Sequence, residues 1–443
     1  MNIDDTIYAL ASAPGRSGVA VLRVSGAAAA DALARLTRRD LPQPRVAKLR
    51  RIFDAAGTPI DDALVLFFPG PRSFTGEDVV ELHLHGGPAV VAAALRALGQ
   101  VPHCRLAEAG EFTRRAFNNH KLDLAQIEGL ADLVAAETEA QRRQALRQAE
   151  GAQSLLYDSW RDRLLRALAR LEAFIDFPDE DLPEQLIRSI DGEIAALAGE
   201  IELHLLDHRG ERLRDGLTIA ILGAPNVGKS SLLNALAQRE AAIVSERAGT
   251  TRDVIEVRLD LGGYPVTVAD TAGLRASADE IEREGIARAL ARARRADVKL
   301  LVFDGGLWPA IDSETAKQID DRALLVVNKA DLLREPEPVA IDGQAVIKVS
   351  AKTGRGLDAL TRALATLAAA GLESGADVVV TRARHRQALE ECHLALLRAA
   401  GAGQPELKAE DLRLGVRELG RITGRVDVED VLDLIFKEFC IGK

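Results

Sequence analysis

The residues of this 443-residue chain that are best suited to chemistry form a phosphate-binding loop. A short apolar run at 217–222 leads into GAPNVGKS and then into a predicted helix, which is the strand-to-helix context that the G-x-x-x-x-G-K-S pattern requires. Backbone N–H groups of such a loop surround phosphates, Lys229 offsets the β- and γ-phosphate charge, and the Ser230 hydroxyl is suited to bind Mg²⁺. The predicted nucleotide contacts here are Asn226, Val227, Gly228, Lys229, Ser230 and Ser231.

Two further segments carry residue types that respond to a γ-phosphate. The polar loop AGTTRD offers threonine oxygens to Mg²⁺ and to the γ-phosphate, and Thr251 is the candidate second Mg²⁺ ligand. A predicted strand at 266–269 ends in DTAG, which places a carboxylate near Mg²⁺ and a glycine N–H near the γ-phosphate. The candidate GTP-binding residues of these segments are Ser245, Glu246, Arg247, Ala248, Gly249, Thr250, Thr251, Asp270, Thr271, Ala272 and Gly273.

A preference for guanine is predicted from two more loops. One predicted strand ends in NKAD and the next leads into SAK. An aspartate carboxylate accepts two hydrogen bonds from the N–H and NH₂ groups of guanine, which adenine does not offer in that arrangement. Taken alone, an asparagine or aspartate after a strand also suits a helix cap. In this order the motifs predict GTP as the substrate, with contacts from Asn328, Lys329, Asp331, Ser350, Ala351 and Lys352.

The residue that orients the attacking water is not at its usual place. Many small GTPases have a glutamine directly after the D-x-x-G glycine, but this chain has Leu274, which cannot orient water. The acidic segment 279–284 follows and offers several carboxylates. For any one of them, a solvated helix start stabilised by the helix dipole is the alternative interpretation.

The elements that must position these residues form three predicted domains. Residues 1–118 alternate short β-like runs with Pro/Gly turns and one helix, which indicates an α+β domain. Residues 119–215 and 376–443 have helical periodicity, whereas 216–375 alternates strands and helices as a parallel sheet requires. We therefore predict a multidomain protein: an α+β N-terminal domain, an all-α helical domain built from both flanks, and an inserted α/β P-loop GTPase domain.

Composition limits the compartment and the partners. Apolar residues make up 47% and charged residues 28%, which is typical of a soluble globular protein, and no apolar run is long enough to span a membrane. The three cysteines are far apart in sequence, so we expect no disulfide framework and a reducing, cytoplasmic setting. A net charge of −10 does not favour binding of nucleic acid, so local basic patches or a partner must supply any RNA-binding surface.

The ordered motifs resemble those of the translation-factor-related GTPases, and the flanking segments narrow the resemblance. Those segments are APGRSGVA at 13–20, FTGED at 74–78, HGGP at 85–88, GEFT at 110–113, KLDLAQ at 121–126 and FCIGK at 439–443. Over essentially the whole chain the pattern is similar to the MnmE (TrmE) family of tRNA modification GTPases. The resemblance implies action with the FAD-dependent partner MnmG, in a heterotetramer or larger complex, to install an aminomethyl or carboxymethylaminomethyl group at carbon 5 of the tRNA wobble uridine.

The resemblance also implies site residues. It implies an N-terminal domain that forms a homodimer and binds 5,10-methylene- or 5-formyl-tetrahydrofolate, with contacts from Arg23, Glu81, Lys121 and Lys443. The G domains are expected to pair in a K⁺-dependent way, because a cation near the β/γ bridge offsets transition-state charge. The implied K⁺ ligands are Asn226, Ser245, Arg247 and Thr250. The family's catalytic carboxylate corresponds to Glu282, which would replace the glutamine missing at Leu274.

Several interpretations stay open at this point. A non-enzymatic assembly or signalling switch, such as a ribosome-maturation GTPase, shares the GTP motifs but has no need of a folate pocket. A septin-like structural GTPase is disfavoured because no long coiled coil is predicted. Cys440 is either a reactive thiolate or a packed or surface thiol. His83 and His85 share one strand face, and a packed or folate-lining role is predicted rather than metal ligation, so zinc is not expected.

Overall fold

The computed structural model divides the chain into two compact units. The first comprises Met1–Ala131, Gln148–Arg163 and Val416–Lys443, and the second comprises Asp132–Arg147 and Leu164–Gly415. The structure describes residues 5–176, 184–239, 256–270, 294–333, 340–341, 343–373, 375, 377–426, 432, 435–436, 439 and 442. The predicted helical domain contributes residues to both units, and the three predicted domain boundaries stay a prediction.

The first unit contains a six-stranded sheet in the order β3-β4-β5-β2-β1-β6. The strands are β1 (Thr6–Leu10), β2 (Ser17–Ser25), β3 (Lys48–Phe53), β4 (Pro59–Phe68), β5 (Val79–Gly86) and β6 (Cys104–Leu106). Neighbours are antiparallel except for β1 and β6, which are parallel. In β5, Val80, Leu82 and Leu84 are buried whereas Glu81 and His83 are partly exposed, so one face of the sheet is apolar and the other carries polar groups.

Helices cover the apolar face of this sheet. Leu33 of α1 (Ala29–Thr37) and Leu98 of α2 (Pro88–Gly99) share a buried core with Leu22 and Leu82 of the strands. The helix α3 (Glu111–Asn118) follows β6, and its Phe112 packs in a smaller core with Ile7 and Ala9 of β1.

Long helices come from both sides of the nucleotide-binding segment. They are α4 (Leu124–Ala135), α5 (Glu139–Ala149), α6 (Ala152–Asp176), α7 (Glu184–Leu205), α8 (Arg209–Asp215), α12 (Ala383–Gly401) and α13 (Pro405–Thr423). In the second unit α7 packs along α12, where the His393 ring nitrogen Nδ1 lies 3.1 Å from the Ala198 carbonyl oxygen. In the described ranges, none of the helices has the length and hydropathy that a membrane crossing requires.

The second unit contains a seven-stranded sheet in the order β12-β13-β11-β10-β7-β9-β8. The strands are β7 (Leu217–Leu222), β8 (Glu256–Leu261), β9 (Tyr264–Asp270), β10 (Val298–Asp304), β11 (Ala323–Asn328), β12 (Ala340–Ile341) and β13 (Gln344–Lys348). The five strands from β13 to β9 are parallel, and β8 and β12 add antiparallel edges. Because these strands are parallel, the carboxyl ends of β7, β9, β11 and β13 lie at one edge of the sheet.

Further helices complete this sheet domain. They are α9 (Lys229–Arg239), α10 (Ser313–Ala316), α11 (Leu357–Leu372) and a 3₁₀ turn at Ala330–Leu332. Apolar cores lie on both faces of the sheet, one including Leu232 of α9 and Leu360 of α11, and the other including Phe303 and Leu325 of the strands. Strands buried on both faces are typical of a parallel sheet covered by helices.

Candidate functional site

The loop between β7 and α9 has the backbone geometry of a phosphate cradle. Asn226 and Gly228 have φ values of 61° and 91°, in the left-handed region that glycine adopts at little cost. A Cβ atom added to Gly228 would collide with the Nδ2 atom of Asn328. The helix α9 then begins at Lys229, so the loop faces the N-terminus of a helix, where anions are stabilised.

Lys229 is anchored on the loop that it follows. Its Nζ atom donates hydrogen bonds to the carbonyl oxygens of Gly223 at 2.8 Å and Ala224 at 2.9 Å. The residue is only 9% exposed, whereas Ser230 and Ser231 beside it are exposed. The ammonium and the Ser230 hydroxyl are therefore presented from the first turn of α9, where the sequence predicts contacts with the phosphates and with Mg²⁺.

Asn328 holds two loops together. It is 2% exposed; its Nδ2 atom donates to the Val227 carbonyl oxygen at 2.8 Å, and its Oδ1 atom accepts from the Ala351 backbone N–H at 3.1 Å. Its amide thus joins the phosphate loop to the loop after β13. Asn328 stays a predicted GTP contact, and these bonds show that it also positions the two loops.

Asp331 and Ser350 form the candidate base-recognition pair. The buried Ser350 hydroxyl donates to the Asp331 carboxylate at 2.6 Å, and Asp331 itself is exposed. This hydrogen bond is the main cause that lowers the pKa of Asp331 below its usual value. A hydrogen bond from the aspartate's own backbone and the nearby Lys352 charge lower it further. The carboxylate is therefore an ionised acceptor at neutral pH, as recognition of guanine N–H groups requires.

Lys329 has a partner that sequence reasoning missed. Its Nζ atom lies 2.7 Å from the Oδ2 atom of Asp304, the last residue of β10, and the Oδ1 atom of Asp304 accepts from the Gly306 backbone N–H at 2.8 Å. The ion pair fixes the lysine of the NKAD motif at the carboxyl edge of the sheet. A carboxylate that ends a buried strand next to β11 is the signal that points to Asp304.

Other predicted contacts lie partly or wholly outside the described residues. The backbone of Asp270, the first residue of the DTAG motif, pairs with Ile221 in the β7–β9 register. The remaining predictions outside the described part of the chain are Ser245, Glu246, Arg247, Ala248, Gly249, Thr250, Thr251, Thr271, Ala272, Gly273, Glu282, Cys440 and Lys443.

A second site lies in the first unit. Arg23 of β2 and Glu81 of β5 face each other in the sheet register, and the Arg23 Nη2 atom lies 2.9 Å from the Glu81 Oε1 atom. The Arg23 guanidinium also lies over the rings of Phe74, at 5.5 Å, and Phe112, at 5.9 Å. The His83 Nε2 atom is 3.4 Å from the second Glu81 oxygen, and this places His83 beside a predicted folate contact.

Glu81 opens onto a cavity of about 460 Å³. The lining residues include Arg45, Phe68, Arg72, Phe74, Glu81 and Lys121. The Lys121 Nζ atom donates to the Pro71 carbonyl oxygen at 3.1 Å, so two of the predicted folate residues share one cavity and Arg23 is bonded to one of them.

The C-terminal tail reaches the same unit. Gly442 has a φ of 105°, and a Cβ atom there would collide with the Leu10 carbonyl of β1.

The second histidine of β5 also has an acidic partner. The His85 Nδ1 atom lies 2.8 Å from an Asp61 oxygen. Across the described ranges, no group of three or more His, Cys, Asp or Glu side chains is placed to hold a metal ion.

The fold and the nucleotide site define a P-loop guanine-nucleotide-binding protein. Two family models match the chain: the MnmE helical domain over residues 124–440 and the GTP-binding protein TrmE N-terminus over residues 6–121. With these matches, the chain belongs to the MnmE family of tRNA modification GTPases. The predicted family, the predicted fold class and the prediction of an enzyme that hydrolyses GTP are confirmed.

Relatives named tRNA modification GTPase MnmE match along the full length. The protein of Paramagnetospirillum magneticum is 58% identical over 442 residues and covers 100% of both chains. That of Parvibaculum lavamentivorans is 58% identical over 445 residues, covering 99% of this chain and 100% of its own. That of Rhodospirillum rubrum is 56% identical over 456 residues, covering 99% of each.

Proposed function

We propose that this GTPase acts with MnmG on the wobble uridine of tRNA, in the cytoplasm, and that it uses a tetrahydrofolate derivative as the one-carbon donor. The observation that carries the proposal is the pairing of two sites in one chain. One compact unit holds a guanine-nucleotide site, and the other holds a charged cavity that includes Glu81 and Lys121. A protein that served only as a timing switch would need the first site and not the second.

The cavity suits a reduced folate in size and in chemistry. Its volume of about 460 Å³ is within the usual range for small-ligand sites. The Glu81 carboxylate, held by Arg23, is suited to accept hydrogen bonds from the N–H groups of a pterin ring. Phe74 offers an aromatic face, and Lys121 offers a cation to the carboxylate tail. Lys443 follows Gly442, which packs on β1, and we include it among the contacts. Bound folate would supply the one-carbon unit.

The nucleotide site suits Mg²⁺ and K⁺. Ser230 presents a hydroxyl in the first turn of α9, and we propose that it binds Mg²⁺ together with Thr251. Asn226 is exposed at the loop, and its side chain has no hydrogen bond within the described residues, so its amide oxygen is available to K⁺. A bound K⁺ would add positive charge where the leaving group develops negative charge. We assign water orientation to Glu282, and we propose G-domain pairing in a homodimer with Ser245, Arg247 and Thr250 as further K⁺ ligands.

The decisive experiment is steady-state GTP hydrolysis in KCl and in NaCl at equal ionic strength. We expect at least about tenfold stimulation by K⁺, lost in Asn226→Ala, and a low rate in both salts for Glu282→Ala, as loss of transition-state stabilisation predicts. The matched carboxylate control is Glu314→Ala, since Glu314 is exposed and pairs only with Lys317 among the described residues. Equal rates in both salts for the unaltered protein would exclude the K⁺ mechanism and favour a partner-activated switch.

A further inference from the structure

The cavity beside Glu81 is lined by more positive than negative side chains. Arg45, Arg72 and Lys121 all line it, although the whole chain carries a net charge of −10. Glu81 is the acidic residue on the lining, and it is already paired with Arg23. The cavity is therefore positive within a protein that is negative as a whole.

Two of the three cations, Arg45 and Lys121, bind backbone carbonyl oxygens, and Arg45 also lies over an aromatic ring. Arg45 donates through Nη2 to the Arg72 carbonyl oxygen, and its guanidinium lies 5.5 Å from the centre of the Phe68 ring. Lys121 donates to the Pro71 carbonyl oxygen. Within the part of the chain that the structure describes, no carboxylate lies in ion-pair distance of Arg45, Arg72 or Lys121.

Two other arginines of the first unit have carboxylate partners. The Arg51 Nη2 atom lies 2.8 Å from an Asp62 oxygen, and the Arg115 Nη1 atom lies 3.1 Å from a Glu77 oxygen. At the cavity, three cations with no carboxylate partner among the described residues line one space, and such a cluster is suited to bind an external anion.

The loop that carries Arg72 is fixed in place. Thr75, three residues further on, accepts a hydrogen bond through its carbonyl from the Asn119 side chain at 2.7 Å, and its hydroxyl lies 2.6 Å from the Ser25 hydroxyl. Glu77 is bonded to Arg115. A rigid loop presents its cation with little loss of conformational entropy when an anion binds.

We propose that Arg45 and Arg72, together with Lys121, bind the carboxylates of a poly-γ-glutamyl tail, so that this protein selects polyglutamylated folate over the monoglutamate. The inference rests on the proposed folate function. Each γ-linked glutamate adds one α-carboxylate beyond the pterin and benzoyl groups, and an arginine fork binds a carboxylate through charge-assisted hydrogen bonds. Because both arginines are exposed, each pair contributes a modest gain.

The test is titration calorimetry of the full-length protein with the mono- and triglutamate forms of 5-formyl-tetrahydrofolate. We expect the triglutamate to bind about five- to tenfold more tightly at low salt, as exposed charge pairs predict, and the difference to shrink at high salt. In the double variant Arg45→Gln/Arg72→Gln the preference should fall below about twofold while monoglutamate affinity changes little. Arg51→Gln is the matched control and should keep the full preference.

The outcomes separate the inference from the function on which it rests. If neither the monoglutamate nor the triglutamate binds, the folate function fails and the inference fails with it. If both forms bind equally, or if the double variant keeps the preference, the tail assignment is overturned and the folate function stands. The second measurement is gel retardation of labelled tRNA by the double variant. If the variant loses affinity for RNA and keeps the triglutamate preference, these cations bind RNA and the inference is overturned.

Discussion

The nucleotide site and the cavity beside Glu81 are built by different means. At the carboxyl edge of the parallel sheet, short contiguous motifs place backbone groups around a nucleotide, and Asn328 bonds to Val227, which is 101 residues away in sequence. In the antiparallel sheet, single side chains from separate strands and loops converge, and the Arg23–Glu81 ion pair fixes two of them. The first site depends on backbone conformation, and the second depends on charge.

This difference predicts how each site fails. A backbone-built loop has little tolerance for a new Cβ atom, because its φ values and its close approaches leave no space. A site built from ion-paired side chains tolerates changes of shape better than changes of charge, because a buried or half-buried charge without its partner is costly. Steric substitutions should therefore be severe at the first site, and charge-removing substitutions should be the informative ones at the second.

The largest expected effect is that of Gly228→Ala on nucleotide binding. The new Cβ would collide with Asn328 Nδ2 at a left-handed φ of 91°, and we expect guanine-nucleotide affinity to fall about a hundredfold, or about 3 kcal/mol. The measurement is titration with a fluorescent GDP analogue. Gly343→Ala is the matched control, because Gly343 has a φ of 81° and nothing within 4 Å of its added Cβ. An equal loss in both variants would mean that strain, and not the collision with Asn328, is the cause.

The phosphate-binding loop could be located from sequence because its parts are local. A strand, a glycine-rich turn and a helix are adjacent in the chain, so one contiguous pattern predicts the Lys229 and Ser230 positions. The prediction that Asp331 accepts hydrogen bonds from guanine rests on the chemistry of the base alone. What the pattern does not predict is the bonding of Asn328 to the phosphate loop, or of Lys329 to Asp304, because these contacts depend on which strands are neighbours in the sheet.

The cavity could not be predicted from local patterns. Arg23 and Glu81 face each other only because β2 and β5 are antiparallel neighbours in one register. Their roles came from family resemblance, and resemblance gave no reason to single out Arg45 or Arg72. Both lie in loops, where nothing in a single sequence tells a solvated arginine from one that lines a cavity.

The next largest effect is expected from Glu81→Gln on folate binding. The amide keeps the shape of the side chain but accepts fewer hydrogen bonds and leaves Arg23 without a charged partner, so we expect 5-formyl-tetrahydrofolate to bind about tenfold more weakly. Calorimetry measures the affinity, and unchanged fluorescence of Trp160, which lies in the first unit with Glu81, shows that this unit is folded. Asp62→Asn is the matched control, since Asp62 pairs with Arg51 at an exposed position of the same sheet. If Glu81→Gln binds folate as tightly as the unaltered protein, the Glu81 charge does not contribute to folate binding, and the charge-based account of this site is wrong.

The last prediction concerns stability and not binding, and it depends on His204 in the second unit. Burial is the main cause that lowers the pKa of His204 from a usual 6.5 to about 4. The charge of Asp207 opposes this shift, and the nearby charges of Arg386 and His385 add to it. The unfolded chain therefore takes up a proton at a higher pH than the folded chain does. The stability from the neutral ring is fully present above pH 6.5 and is lost as the pH falls from 6.5 towards 4.

The two tryptophans allow this loss to be assigned to one unit. Trp160 lies in the first unit and Trp308 in the second, so the variants Trp308→Phe and Trp160→Phe each leave one fluorescent reporter. In urea we expect the unfolding followed by Trp308 to lose about 2 kcal/mol between pH 7 and pH 5, and that followed by Trp160 to change less. His204→Gln should abolish the extra loss, and His208→Gln, at an exposed position, should not. If the free energies of unfolding reported by Trp160 and by Trp308 fall equally at pH 5, the two units unfold as one. The nucleotide site and the cavity are then not energetically separate.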